Sequence, residues 1–257
     1  MRDVRVALLL AKRGLRQALR RPQFLAPLVI FPSLMLAANT GGAGRATELP
    51  GFPEVHGFLD FELAGAMMQS AMLAGVSGGI ALALDFEIGF VDRLFAAPIS
   101  RYTIVTGRVL ATAAMGVMTG LWFVLGGLIF GAHIEGGVLG AIVILGLSSV
   151  AAAAFALLAS ALAIGTAKAS VVQGIFPIVF VILFLSTAFF PKDLLLEPAK
   201  TFAHLNPLSL IADGIRGVII DQLDMADVLK ALAGIGIVAA VGLGLTALTL
   251  RRRVATG

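Results

Sequence analysis

The chain has no cysteine, which excludes disulfides, thiolate metal sites and cysteine nucleophiles. Charge is scarce as well. Asp, Glu, Lys and Arg make up 13% of the 257 residues, whereas soluble domains carry about a quarter. Tryptophan and tyrosine occur once each, as Trp122 and Tyr102. The phosphate-cradling pattern Gly-x-x-x-x-Gly-Lys-Ser/Thr is missing. Gly165-Thr-Ala-Lys168-Ala-Ser170 offers a lysine and hydroxyls but lacks the second glycine, so no ATP site is expected in this chain. The three histidines, His56, His133 and His204, stand in separate loops. No metal site and no catalytic set are expected, because ligands need convergent spacing.

What is present is apolar. Hydrophobic residues reach 59%, with a mean hydropathy of +1.00, and they fall in long blocks. A bilayer core about 30 Å thick takes roughly 20 helical residues to cross. The blocks at 24–40, 62–84, 103–131, 138–164, 171–190 and 227–250 predict an all-α integral membrane protein of six transmembrane helices, one transmembrane domain over 1–257. The first block contains Pro27 and Pro32 and follows a basic run, as a signal peptide would, with small residues at Leu36-Ala37-Ala38. The five later blocks favour a retained helix. Residues 41–61 are rich in glycine and proline and predict a loop.

Residues 1–23 carry Arg2, Arg5, Lys12, Arg13, Arg16, Arg20 and Arg21, interleaved with Val6, Leu9, Leu10, Leu15 and Leu19. This spacing predicts an amphipathic helix lying in the membrane interface. A pI near 10 raises the possibility of nucleic acid. The cations lie at the ends of apolar blocks instead, so lipid headgroups are the expected partners and nucleic acid is not. With six crossings and both termini cytoplasmic, 14 of the 19 basic residues fall inside and 11 of the 15 acids outside. That bias sets orientation, and a multi-pass protein of the plasma (inner) membrane is expected. Arg251-Arg252-Arg253 would anchor the last helix on the cytoplasmic side. Glu62, near an outer edge, is expected to be a solvated interfacial acid.

Two segments stand out. The first is the cytoplasmic loop 85–102, Asp85-Phe-Glu87-Ile-Gly89-Phe-Val-Asp92-Arg93-Leu94-Phe95-Ala-Ala-Pro98-Ile-Ser100-Arg101. It places acids in a segment otherwise expected to be basic, and Leu94 and Phe95 beside charges. Pro98 would stop a short helix and Ser100 would cap the next. A short helix with an apolar knob and a charged flank suits docking into a groove on a soluble partner; a solvated loop fits the spacing equally well. The second is 191–226, where Asn206-Pro207 breaks the chain and starts a helix with Leu208, Ile211, Ile215, Val218 and Ile219 on one face. Asp213 and Arg216 are spaced i, i+3, which permits a weak local pair. The helix is too short to span and predicts an outer re-entrant segment with a structural or gating role.

The order acid–x–Gly–x–x–acid–Arg–Leu–x–x–x–Pro–x–Ser–Arg resembles the loop after the second helix in permease subunits of ATP-binding-cassette type-2 exporters, particularly the daunorubicin-resistance-type branch. Glu87, Gly89, Asp92, Leu94, Pro98, Ser100 and Arg101 occupy the family's positions. Phe90 stands where threonine is common, and Asp92 where glutamate is usual. Asn206-Pro207-Leu-x-x-x-x-Asp213-x-x-Arg216 is similar to the family's segment before its last helix. The resemblance implies that 85–102 is a coupling helix, with Glu87, Gly89, Asp92, Arg93, Leu94, Phe95, Pro98 and Arg101 receiving motion from an ATPase. It implies two copies of that ATPase subunit, which would hold ATP and Mg, and a second copy of this permease or a homologous one. The chain itself would bind no cofactor and catalyse nothing.

A polytopic enzyme needs a buried titratable constellation, which the sequence does not offer. A secondary transporter needs ionisable groups near mid-membrane, and a membrane scaffold leaves the coupling-like loop unexplained. The scarcity of Trp and Tyr disfavours a glycan cargo. A pathway lined by apolar residues and by Gln69, Ser70, Gln173 and Ser186 would favour a hydrophobic drug, lipid or lipid-linked molecule.

Overall fold

A computed structural model describes residues 2–255; Met1, Thr256 and Gly257, at the ends of the predicted single domain, lie outside the described residues. Among the described residues there is no strand. The helices are α1 (Arg2–Leu19), α2 (Pro22–Ala43), α3 (Phe58–Glu87), α4 (Phe90–Phe95), α5 (Arg101–Ile129), α6 (Gly137–Thr166), α7 (Ala169–Gly174), α8 (Phe176–Phe184), α9 (Ala199–Leu205), α10 (Pro207–Ile220) and α11 (Met225–Ala255).

Among the described residues, five stretches are long and apolar enough to cross a membrane: Leu25–Glu48, Phe58–Glu87, Arg101–Ile129, Gly137–Thr166 and Met225–Arg253. They correspond to five of the six apolar blocks. The block at 171–190 departs from a single span. Its helical part, Ala169–Phe184, is shorter than any of the five and is divided between α7 and α8, and the chain beyond Phe184 turns. Pro177 sits in the first turn of α8, where its missing N–H costs least. The carbonyls left free at the other end are taken by Asn206, whose Nδ2 donates to Ile182 at 2.7 Å and to Leu185 at 3.3 Å.

Helix α3 forms the middle of the bundle, packed by α2, α5, α6, α7 and α10. Its residues are small as well as apolar, so neighbouring backbones come close. A Cβ on Gly75 would lie 2.3 Å from Phe155 Cβ, and one on Gly79 would lie 2.4 Å from Ala159 Cβ. Both glycines therefore face α6 across direct backbone contact. Gly75-Val76-Ser77-Gly78-Gly79 matches the Gly-x-Ser-x-Gly spacing of a nucleophile elbow. It lies within a continuous helix rather than on a strand-to-helix turn, so it serves packing.

The outward faces are apolar, as hydrocarbon requires: Leu121 and Leu125 on α5, Val138 and Ile142 on α6, Val181 on α8 and Leu243 on α11 are all exposed. Helix α1 forms as expected, and the face it turns to the bundle is made of small residues. Ala7, Gly14 and Ala18 turn inward, with Gly14 against Ala111 of α5, while Leu9 and Leu19 are exposed beside Val4 and Leu8. Small residues win the inner face because they let α1 lie close on α5, where Gly107 receives Leu10 and Ala7.

Candidate functional site

Polar networks close both ends of α3. At its C-terminal end, Asp85 is buried and accepts two hydrogen bonds from Arg13 of α1, at 3.0 and 2.9 Å. It also pairs with buried Arg108 of α5. The Arg13 guanidinium lies 3.8 Å from the Phe90 ring centroid. One carboxylate thus ties α1, α3 and α5 together at the point where the loop to α4 leaves the bundle. A charge in an apolar setting demands a partner, and that is the signal that would have found the set: Asp85 ends one apolar block and Arg108 interrupts the next.

Gly89 has φ +67°, a left-handed conformation open to glycine at little cost, and it turns the chain from α3 into α4. Helix α4 forms within the predicted loop. Glu87 Oε1 accepts the Ala169 N–H at 2.7 Å, so it caps the start of α7. Asp92 stands 4.0 Å from Arg253. Arg253 also donates to the Ile164 carbonyl at 2.8 Å and lies over the Phe86 ring at 4.2 Å. Arg93 donates back to Gly89 O at 3.2 Å. Arg101 stacks over Phe95 at 5.3 Å, and Leu94 and Phe95 are half-buried against Phe86 and its neighbours. Ile88, Asp92, Arg93 and Pro98 face outward. Ser100 occupies the position before α5, yet its side chain makes no capping bond.

At the other end of α3 the centre is Arg216, which is buried. Its Nη1 donates to Asp213 at 2.9 Å, its Nη2 to the carbonyls of Thr187 and Ala188, both at 2.8 Å, and its Nε to the Phe61 carbonyl at 3.2 Å. The Phe61 ring centroid lies 3.8 Å from the guanidinium. Asp213 also accepts from the Thr187 hydroxyl at 2.7 Å. The i, i+3 pair is therefore one strand of a larger knot that holds α10, α3 and the turn after α8. Asn206 begins α10 by accepting the Leu208 N–H at 3.0 Å, with Pro207 at the first helical position. Leu208, Ile211, Ile215, Val218 and Ile219 are all buried, as their spacing predicts.

Three expectations need correction. Glu62 is fully buried rather than solvated, because α2 covers it and Asn39 Nδ2 donates to it at 2.6 Å. Of the polar residues expected along a pathway, Gln69, Ser70 and Ser186 are fully buried within the bundle. Ser70 donates to the Leu28 carbonyl at 2.7 Å and Ser186 to the Leu183 carbonyl at 2.5 Å. Gln173 borders a cleft, together with Gln23, Leu28, Ser77, Ile80 and Phe176. Finally, His56 and His133 come together, their ring centroids 4.7 Å apart, although they are far separated in sequence.

The cleft beside Gln173 lies between α2, α3, α7 and α8 and holds about 770 Å³. A second cleft of about 340 Å³, almost wholly apolar, lies among α6, α8, α10 and α11, with Phe155, Leu162, Val179 and Val241 in its walls. The family model described as ABC-2 type transporter matches residues 5–220. No curated protein matches the chain.

Proposed function

The chain belongs to the ABC-2 type transporter family as a multi-pass transmembrane permease component, and from that premise we propose that it is the export subunit of an ATP-driven transporter of the daunorubicin-resistance-type branch. Permeases of this family work with an ATP-binding-cassette ATPase. Two permease copies, or this chain and a homologous one, enclose the pathway, and two ATPase subunits carrying ATP and Mg dock from the cytoplasm. The helices α7 and α8 with the turn beyond them make a sixth, broken crossing between the fourth and last long helices. Both termini are then cytoplasmic and the membrane is the inner, plasma membrane. Helix α1 rests on the cytoplasmic surface with Arg5, Lys12, Arg16 and Arg20 exposed toward headgroups, while α9 and α10 form the outer re-entrant pair.

The observation that carries the coupling role is the way α4 is held. Ile88 and Arg93 face outward, while their neighbours are fastened to five elements. Asp85 binds α1 and α5, Glu87 caps α7, and Arg253 joins α11 to the end of α6, Phe86 and Asp92. A push on α4 is thus delivered to most of the bundle at once, and ATP-driven closure of the partner would turn the pathway from inward- to outward-open. Apolar cleft walls support a hydrophobic cargo, a drug, lipid or lipid-linked molecule.

The test uses outward-facing positions whose loss leaves the network intact. Ile88→Asp and Arg93→Glu are purified in gentle detergent, and the co-purifying ATPase is measured. Loss of a stoichiometric ATPase with an unchanged melting temperature supports the coupling role. Retention of ATPase and of transport in both variants removes it. A wild-type chain that purifies with no ATPase at all returns the reading to a secondary transporter or a scaffold.

A further inference from the structure

The two histidines that meet at the N-terminal end of α3 do so beside carboxylates. His56 lies in the loop before α3, Asp60 in its first turn, and His133 and Glu135 in the turn between α5 and α6. One ligand atom from each of His56, Asp60 and His133 can be chosen so that all lie within 4.8 Å of one another. His56 Nδ1 stands 4.0 Å from Asp60 Oδ2 and 3.7 Å from Glu135 Oε1. A four-coordinate zinc with bonds of about 2.0–2.1 Å sets neighbouring ligands roughly 3.3 Å apart. The cluster is therefore close to a metal's dimensions and slightly open.

The parts differ in freedom in a useful way. Asp60 is buried, and its Oδ1 accepts the His133 backbone N–H at 2.8 Å, which leaves Oδ2 directed at His56. Such an outer bond fixes a ligating carboxylate in place. The turn that carries His133 and Glu135 is itself anchored, since the Glu135 N–H donates to the Ile219 carbonyl of α10 at 2.8 Å. The His56 side chain is 62% exposed and that of Glu135 41%. His133 is exposed as well, so these three side chains are free to close around an ion while Asp60 stays fixed. Imidazole and carboxylate together suit zinc and its first-row neighbours, and no thiolate is needed.

We propose that His56, Asp60, His133 and Glu135 form a divalent transition-metal site, taking zinc or a chemically similar ion, at the rim of the bundle. The bound ion bolts the loop before α3 to the α5–α6 turn and, through Glu135, to the end of α10. This site lies at the opposite end of α3 from α4 and stands independently of the coupling role.

The measurement is a calorimetric titration of tag-free full-length protein in detergent with Zn2+, accompanied by Co2+ absorption as a report on coordination. One zinc per chain is expected, with the strong visible bands of a four-coordinate cobalt site. Affinity should fall at least tenfold in His56→Ala and in His133→Ala, and remain unchanged in His204→Ala. Glu135→Ala, at an exposed position, provides a variant that does not disturb packing and should weaken binding as well. Absence of stoichiometric zinc binding overturns the proposal, as does equal affinity in the wild type and both histidine variants, which would put the metal elsewhere.

Discussion

Asp85 and Arg13 are 72 positions apart in the chain and form a two-bonded ion pair, at 2.9 and 3.0 Å, under the loop that leads into α4. The acid is buried, while half of the cationic partnership comes from α1. Neutralising it leaves Arg108 buried without its counter-ion and two arginines side by side. Asp85→Asn should lose about 3–5 kcal/mol, the usual result of breaking one side of a buried pair. A thermal melt in detergent measures this, and an unchanged midpoint would show that the carboxylate contributes little.

Arg216 makes a comparable demand at the other end. Arg216→Met would leave Asp213 and the carbonyls of Phe61, Thr187 and Ala188 without their donor. A loss of about 3–5 kcal/mol is expected. Arg216→Lys should be nearly as harmful, because an ammonium cannot reproduce the planar fork that reaches several acceptors at once. Equal melting temperatures for wild type and Lys variant would contradict this.

Close packing of α3 on α6 predicts a contrast between glycines. Gly75→Ala puts a methyl 2.3 Å from Phe155 Cβ and 2.8 Å from its carbonyl carbon, so the helices must separate, at a cost of about 1–3 kcal/mol. Gly126 and Gly146 have open space where a Cβ would go. Alanine there should be neutral or stabilise by about 0.5–1 kcal/mol through reduced backbone entropy. Melting curves of the three variants decide the matter.

The sole tryptophan gives a direct report on the outer surface. Trp122 is 57% exposed, and its indole N–H donates to Ser33 of α2 at 3.2 Å. In a bilayer its emission should be blue-shifted and quenched by lipids brominated on their acyl chains. Strong quenching by aqueous iodide instead would place this face of α5 against water.

Much of the architecture was legible because long apolar blocks allow few alternatives. The basic run before α2 and the prolines at 98 and 207 marked boundaries through mechanisms that operate locally. Partnerships between distant segments were not legible. Asp85 was visible as one acid among several, but only the fold brings Arg13 and Arg108 to it. Glu62 looked solvated because its position near a block end says nothing about α2 lying across it. His56 and His133 appeared scattered because convergence depends on how the α5–α6 turn meets the start of α3. The break within the block at 171–190 was not legible either: its apolarity is continuous, while its helix is divided at Ile175 and ends at the turn that Asn206 and Arg216 hold.

The short helices α7 and α8 are gripped at both extremities by side chains from elsewhere. Glu87 holds the first amide of α7, and Asn206 and Arg216 hold the carbonyls at and beyond the end of α8. In mechanical terms the pair is a strut seated in two sockets, with its one joint at Ile175. A displacement of the lower socket has no slack in which to dissipate. Under the proposed coupling role it either bends the joint or shifts the upper socket, so the broken pair α7 and α8 is one route by which motion at α4 would reach α10.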